Sequence, residues 1–125
     1  MKITIETINH ADQRYDTVGD WQYEPGFTGG EDLRIKVSDM KSEGSEYEFL
    51  VGIHELIEAF LCKEFGIKEE DVDKFDLMHQ DHPDPGSLPE APYYRQHLIA
   101  TIIEQILAHE LEISWDTYEE AIEAL

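Results

Sequence analysis

Apolar and polar side chains alternate along Lys2-Ile3-Thr4-Ile5-Glu6-Thr7-Ile8, and most of them are β-branched. A period of two in such residues predicts a half-buried strand. Residues 18–23 and 33–37 repeat the pattern more weakly, separated by Pro25-Gly26 and Gly29-Gly30, residue types that make a loose hairpin turn. The first 40 residues therefore read as a small antiparallel sheet.

From residue 45 the period becomes helical. Ser45-Glu46-Tyr47-Glu48 has the sequence of a capping box, and the helix it opens is expected to run to about Phe65, where Gly66 supplies a left-handed terminator. Residues 68–76 predict a short acidic helix held by Ile67, Val72 and Phe75. Pro92 suits the first turn of a further helix that continues to about Leu111. The apolar residues of that helix nearly encircle it, which predicts a place at the centre of the core. A last helix over residues 116–125 carries a second box, Asp116-Thr117-Tyr118-Glu119, with Trp115 as its anchor. The expected fold is α+β, one domain of 125 residues: an N-terminal antiparallel sheet (1–40) packed on a two-helix core with two short flanking helices (45–125).

Polar residues interrupt the apolar stripes at matching places. At about 100° per residue, His54 and Glu58 share a helix face with Tyr47, Leu50, Val51, Leu61 and Cys62. His97 and Glu104 share one with Tyr93, Ala100, Thr101, Ala108 and Leu111. An unpartnered carboxylate on such a stripe costs several kcal/mol, so Glu58 must be paired, protonated or bound to a cation. The small residues of the second helix would let the first approach closely and bring all four polar groups together. Imidazole and carboxylate suit zinc first, with manganese or iron(II) as alternatives. His54, Glu58 and His97 are then three ligands, Glu104 a fourth ligand or an outer partner, and Glu55, near the edge of the face, a general base. The same residues could instead pair as His54–Glu104 and His97–Glu58, a charge-assisted network that fixes helix register without metal.

His54-Glu55-Leu56-Ile57-Glu58 resembles the helical HExxH motif of the zincin metallopeptidases, with Glu58 in place of the second histidine. That resemblance implies a ligand at His54 and a base at Glu55, in a metal-dependent hydrolase. A broader resemblance, carried by Gly19-Asp20-Trp21, Val37-Ser38-Asp39-Met40, the segment 48–59, Phe75-Asp76, Ala91-Pro92-Tyr93 and the segment 97–104, is to a family of small phage and prophage proteins. It implies a viral origin and a host-cell cytoplasmic setting.

Charge narrows the partners. With 29 acidic and 9 basic residues, the formal net charge is -20, and the acids are spread along the whole chain. Direct binding to nucleic acid or to an anionic membrane is excluded as an expectation. The competing functional class is a non-enzymatic acidic protein that mimics nucleic acid and binds a basic host protein. A single cysteine, Cys62, leaves no internal disulfide and reads as core. His79, Asp81, His82 and Asp84 crowd a Pro-rich loop and read as solvated. Gly29-Gly30 lacks the Lys and the following helix of a phosphate loop.

Overall fold

In the computed structural model, which describes residues 1–40 and 43–125, the chain forms β1 (Ile3–Ile8), β2 (Gly19–Pro25), β3 (Glu31–Ser38), α1 (Ser45–Glu64), α2 (Glu69–Met78), α3 (Tyr94–Glu110) and α4 (Trp115–Glu123). Short 3-10 turns lie at His10–Asp12 and Pro85–Ser87. This is the expected α+β arrangement, with one correction to the sheet. β2 and β3 are the antiparallel hairpin, but β1 pairs parallel to β3, so the sheet is mixed in the order β1-β3-β2. Alternation within a strand predicts which side chains face the core and says nothing of strand direction. Here the connection from residue 9 to 30, β2 included, returns the chain to run beside β1 in the same sense.

Because β3 lies between two partners, its Leu33, Ile35 and Val37 are wholly buried, and they meet α1 in one continuous core with Trp21, Leu50, Val51, Ala59 and Cys62. The close approach is visible at Gly52, where an added Cβ would stand 3.2 Å from Ile5. α1 is therefore the middle layer, with the sheet on one side and α3 on the other. It ends as expected: Gly66 has φ 69°, the Ile67 N–H donates to the Cys62 carbonyl at 2.9 Å, and the Gly66 N–H donates to Lys63 at 3.2 Å.

Neither expected capping box forms. Gly44, with φ 82°, precedes α1, and Glu48 turns away to accept the Met40 N–H at 2.7 Å. At α4 the cap lies one residue upstream of Trp115: the Ser114 hydroxyl accepts from the Thr117 N–H. The location of α3 also differs from expectation. It buries only Gln96, Ala100, Glu104 and Ala108 against α1, and Leu98, Ile99, Ile102 and Ile106 on its far side are between 40% and 63% exposed. Among the described residues, no helix is long and apolar enough to cross a membrane.

Candidate metal centre between two helices

His54 and Glu58, one turn apart on α1, face α3 across a seam where Ala100 and Ala108 have no side chain beyond Cβ to keep the helices apart. All four polar residues singled out in the sequence meet there. His54 Nδ1 lies 2.8 Å from Glu104 Oε1, and His97 Nδ1 lies 2.8 Å from Glu58 Oε2. A third edge closes the figure: His54 Nε2 is 3.2 Å from the same Glu58 oxygen and 3.1 Å from His97 Nδ1. His54, Glu58 and Glu104 are buried, and His97 nearly so.

Hydrogen-bond logic assigns the ring protons. A carboxylate only accepts, so the His54 nitrogen facing Glu104 must carry a proton, and in a neutral ring the other nitrogen presents a lone pair. His97 is held the same way from outside the seam, its Nε2 lying 3.0 Å from Asp84 Oδ1. The three inner atoms, His54 Nε2, His97 Nδ1 and Glu58 Oε2, are then all acceptors, within 3.2 Å of one another. Only a cation or added protons can sit among them. If both rings are protonated, two like-charged N–H groups stand 3.1 Å apart. An ion resolves that conflict: tetrahedral ligands about 2.0–2.1 Å from zinc are about 3.3–3.4 Å from each other, a few tenths wider than the triangle seen here.

The electrostatics favour positive charge in the triangle, whether protons or an ion carry it. Burial opposes charge on both imidazoles, yet hydrogen bonds to Glu104 and Glu58 hold His54 well above the usual imidazole range. For His97, Asp84 and Glu58 overcome burial and raise it to about 9. Glu58 is depressed despite its burial because both imidazoles bond to it. With three carboxylates (Glu58, Glu104, Asp84) around two imidazoles, the cluster has a net charge of minus one even with both rings charged. That surplus favours a divalent cation. The donor set, two imidazole nitrogens and one carboxylate oxygen, fits such an ion.

Comparison with family models, with curated proteins and with solved structures finds no match to this chain.

The geometry of the site separates the roles of the predicted residues. Glu104 stands outside the triangle: one of its oxygens holds His54 and the other accepts the Tyr118 hydroxyl. Glu55, expected at the edge of the helix face, is buried, because β2 covers that flank of α1: a Cβ on Gly19 would stand 2.6 Å from Glu55 Cγ. Glu55 has no hydrogen-bond partner among the described residues and lines the same cleft of about 680 Å³ as the His/Glu cluster. Burial, then the nearby charge of Glu58, push its carboxyl well above the usual range. Cys62 is core, as expected, its thiol pushed up to about 12 by burial.

Four contributors escaped the sequence reading. Asp84, read as solvated with its loop neighbours, is the residue that fixes His97. The 3-10 turn that follows it presses on the same ring, so that a Cβ on Gly86 would lie 2.5 Å from His97 Cγ. Trp21 of β2 donates its indole N–H to Glu58 Oε1 at 3.0 Å, leaving Oε2 alone to face the imidazoles. Tyr118 orients Glu104 from α4. The one available signal was Trp21 itself, a polar-tipped aromatic on a strand that must bury it.

Proposed function

We propose that this chain is a metal-binding protein with a mononuclear zincin-like centre at His54, Glu58 and His97, and that it hydrolyses a substrate bound in the adjoining cleft. The observation that carries the reading is the triangle of three inward-facing acceptor atoms, each imidazole tied by its far nitrogen to a carboxylate. Carboxylate–histidine pairs of this kind orient ligands and raise their basicity. Zinc fits first, with manganese and iron(II) also compatible with two nitrogens and an oxygen.

An ion at that position supplies Lewis-acid polarisation and acidifies bound water. The chain supplies the rest. Glu104 and Asp84 keep both rings in the ligating tautomer, Trp21 restricts Glu58 to a single coordinating oxygen, and the buried walls exclude bulk water. Glu55 follows the first ligand in sequence, as the base does in the zincin pattern, and the burial that makes its carboxyl a weaker acid makes its carboxylate a stronger base. The expected setting is a host-cell cytoplasm, following the resemblance to phage proteins.

Elemental analysis of protein purified without added metal, combined with calorimetric titration of the stripped protein, tests the centre. The expected result is one divalent ion per chain, lost in His54→Ala and retained in Glu55→Gln. If Glu55→Gln binds metal normally but loses hydrolysis of an activated ester, the assignment of the base stands. Metal-free protein whose thermal stability is unchanged by chelator and by added zinc would leave the structural network as the correct account.

A further inference from the structure

The outer face of α3 leaves Leu98, Ile99, Ile102 and Ile106 uncovered, and its residues repeat in a register of their own. Arg95, Ile99, Ile102, Ile106 and His109 follow one another at intervals of four, three, four and three, the seam of a helix that packs along another helix. The charge pattern is as unusual as the apolar one. In a chain with 29 acids, the only acid between Tyr94 and His109 is Glu104, and it points inward to His54. Two strongly acidic molecules can meet on this face with few carboxylates brought together.

We propose that the occupant of this face is a second copy of the chain, its α3 packed antiparallel to the first about a two-fold axis between Ile102 and Ile103. The axis sets Ile99 against the partner's Ile106 and brings Ile102 beside the partner's Ile102, all of them exposed on the outer face. It also sets Arg95 against the partner's Glu110. Arg95 and Glu110 are exposed and have no ion pair among the described residues, although the chain offers Arg95 an excess of acids. A parallel pair would place Arg95 against Arg95 and Glu110 against Glu110. Antiparallel packing gives two charge pairs flanking an apolar centre, the self-complementary pattern that a two-fold interface requires. The metal centre lies on the opposite side of α3, so dimerisation would leave the cleft open.

Sedimentation equilibrium of the full chain at micromolar concentration tests the assignment. The expected species has twice the 14.5 kDa mass of the chain. Raising the salt should strengthen association, because it screens repulsion between two acidic molecules while leaving the apolar seam intact. Ile102→Asp should weaken the dimer about 100-fold, as expected for a charge at the centre of an interface. Arg95→Glu alone should weaken it about tenfold, and Arg95→Glu with Glu110→Arg should recover wild-type association. All three positions are exposed, so far-ultraviolet circular dichroism should show unchanged folded monomers. A monomeric wild-type chain overturns the proposal, as does a dimer indifferent to Ile102→Asp. Failure of the double charge exchange to restore what the single one removes overturns the antiparallel axis.

Discussion

Two polar clusters are tied to β2, one through Asp20 and one through Trp21, and they compensate charge differently. In one, Arg14 forks onto Asp20 at 2.7 and 2.8 Å and onto Asp73 at 3.0 and 3.1 Å, so that permanent donors meet permanent acceptors. A guanidinium does not lose its proton in a protein, so the donors of that cluster are permanent. In the other, between α1 and α3, the positive partners are imidazoles, which can surrender the proton and offer a lone pair instead. The carboxylates are alike in both places. Whether the positive partner is fixed or exchangeable decides whether a polar cluster can serve as scaffold alone or can also admit an ion.

The sharpest way to break this contrast is to remove one member from each cluster. Glu58→Ala should abolish metal binding and lower the unfolding free energy by about 3–5 kcal/mol, since it leaves two imidazoles and an indole N–H without their acceptor. Arg14→Ala should cost about 1–2 kcal/mol by stranding the buried Asp20, less than a fully buried pair because the Arg14 side chain is a third exposed, with metal content unaltered. Denaturant unfolding with and without chelator reads both; the contrast fails if chelator weakens the two variants equally. A smaller effect comes from crowding the ligand rather than deleting it. Gly86→Ala drives a methyl into His97 and should reduce metal affinity at a cost of about 1–3 kcal/mol, measured by competition with a chelating dye.

Glu104→Gln should keep the fold and weaken the ion about tenfold, because the amide holds the His54 ring less firmly. An unchanged affinity would show that the outer carboxylate does not tune the centre. The mildest test is pH. An imidazole raised from 6.5 to about 9 gives stability that is full below pH 6.5 and is lost as pH climbs through 9. In chelator, Tm should therefore fall across that interval, by a few degrees, whereas the metal-loaded protein should hold steady because the ion has replaced the proton. The Arg14 cluster adds no slope in this range. A chelated protein with a flat Tm from pH 6.5 to 9 would contradict the protonated-imidazole picture.

The contrast also explains how much of the site could be read beforehand. His54, Glu58, His97 and Glu104 were legible because they are polar residues on apolar stripes at helical spacing, and the small residues Ala100 and Ala108 signalled a close helix pair. Asp84 was not legible, since nothing in a Pro-rich acidic loop distinguishes the one carboxylate that folds back onto a ring from those that stay in water. Gly86 and Gly19 were missed for a related reason. Their role is to have no side chain where another element presses, and that depends on the neighbour rather than on the local residues.

Local pattern by itself determined the α+β class, the hairpin, the four helices, the Gly66 terminator and the four polar residues of the seam, because period, turn residues and side-chain direction depend on neighbours within a few positions. Only the tertiary structure decided that β1 runs parallel to β3, that α1 rather than α3 is the central layer, and that Glu55 is buried beneath Gly19. It also decided that Asp84, Trp21 and Tyr118 complete the centre. Each of those depends on which distant segment covers a given face, and that choice is made by the packing of the whole chain.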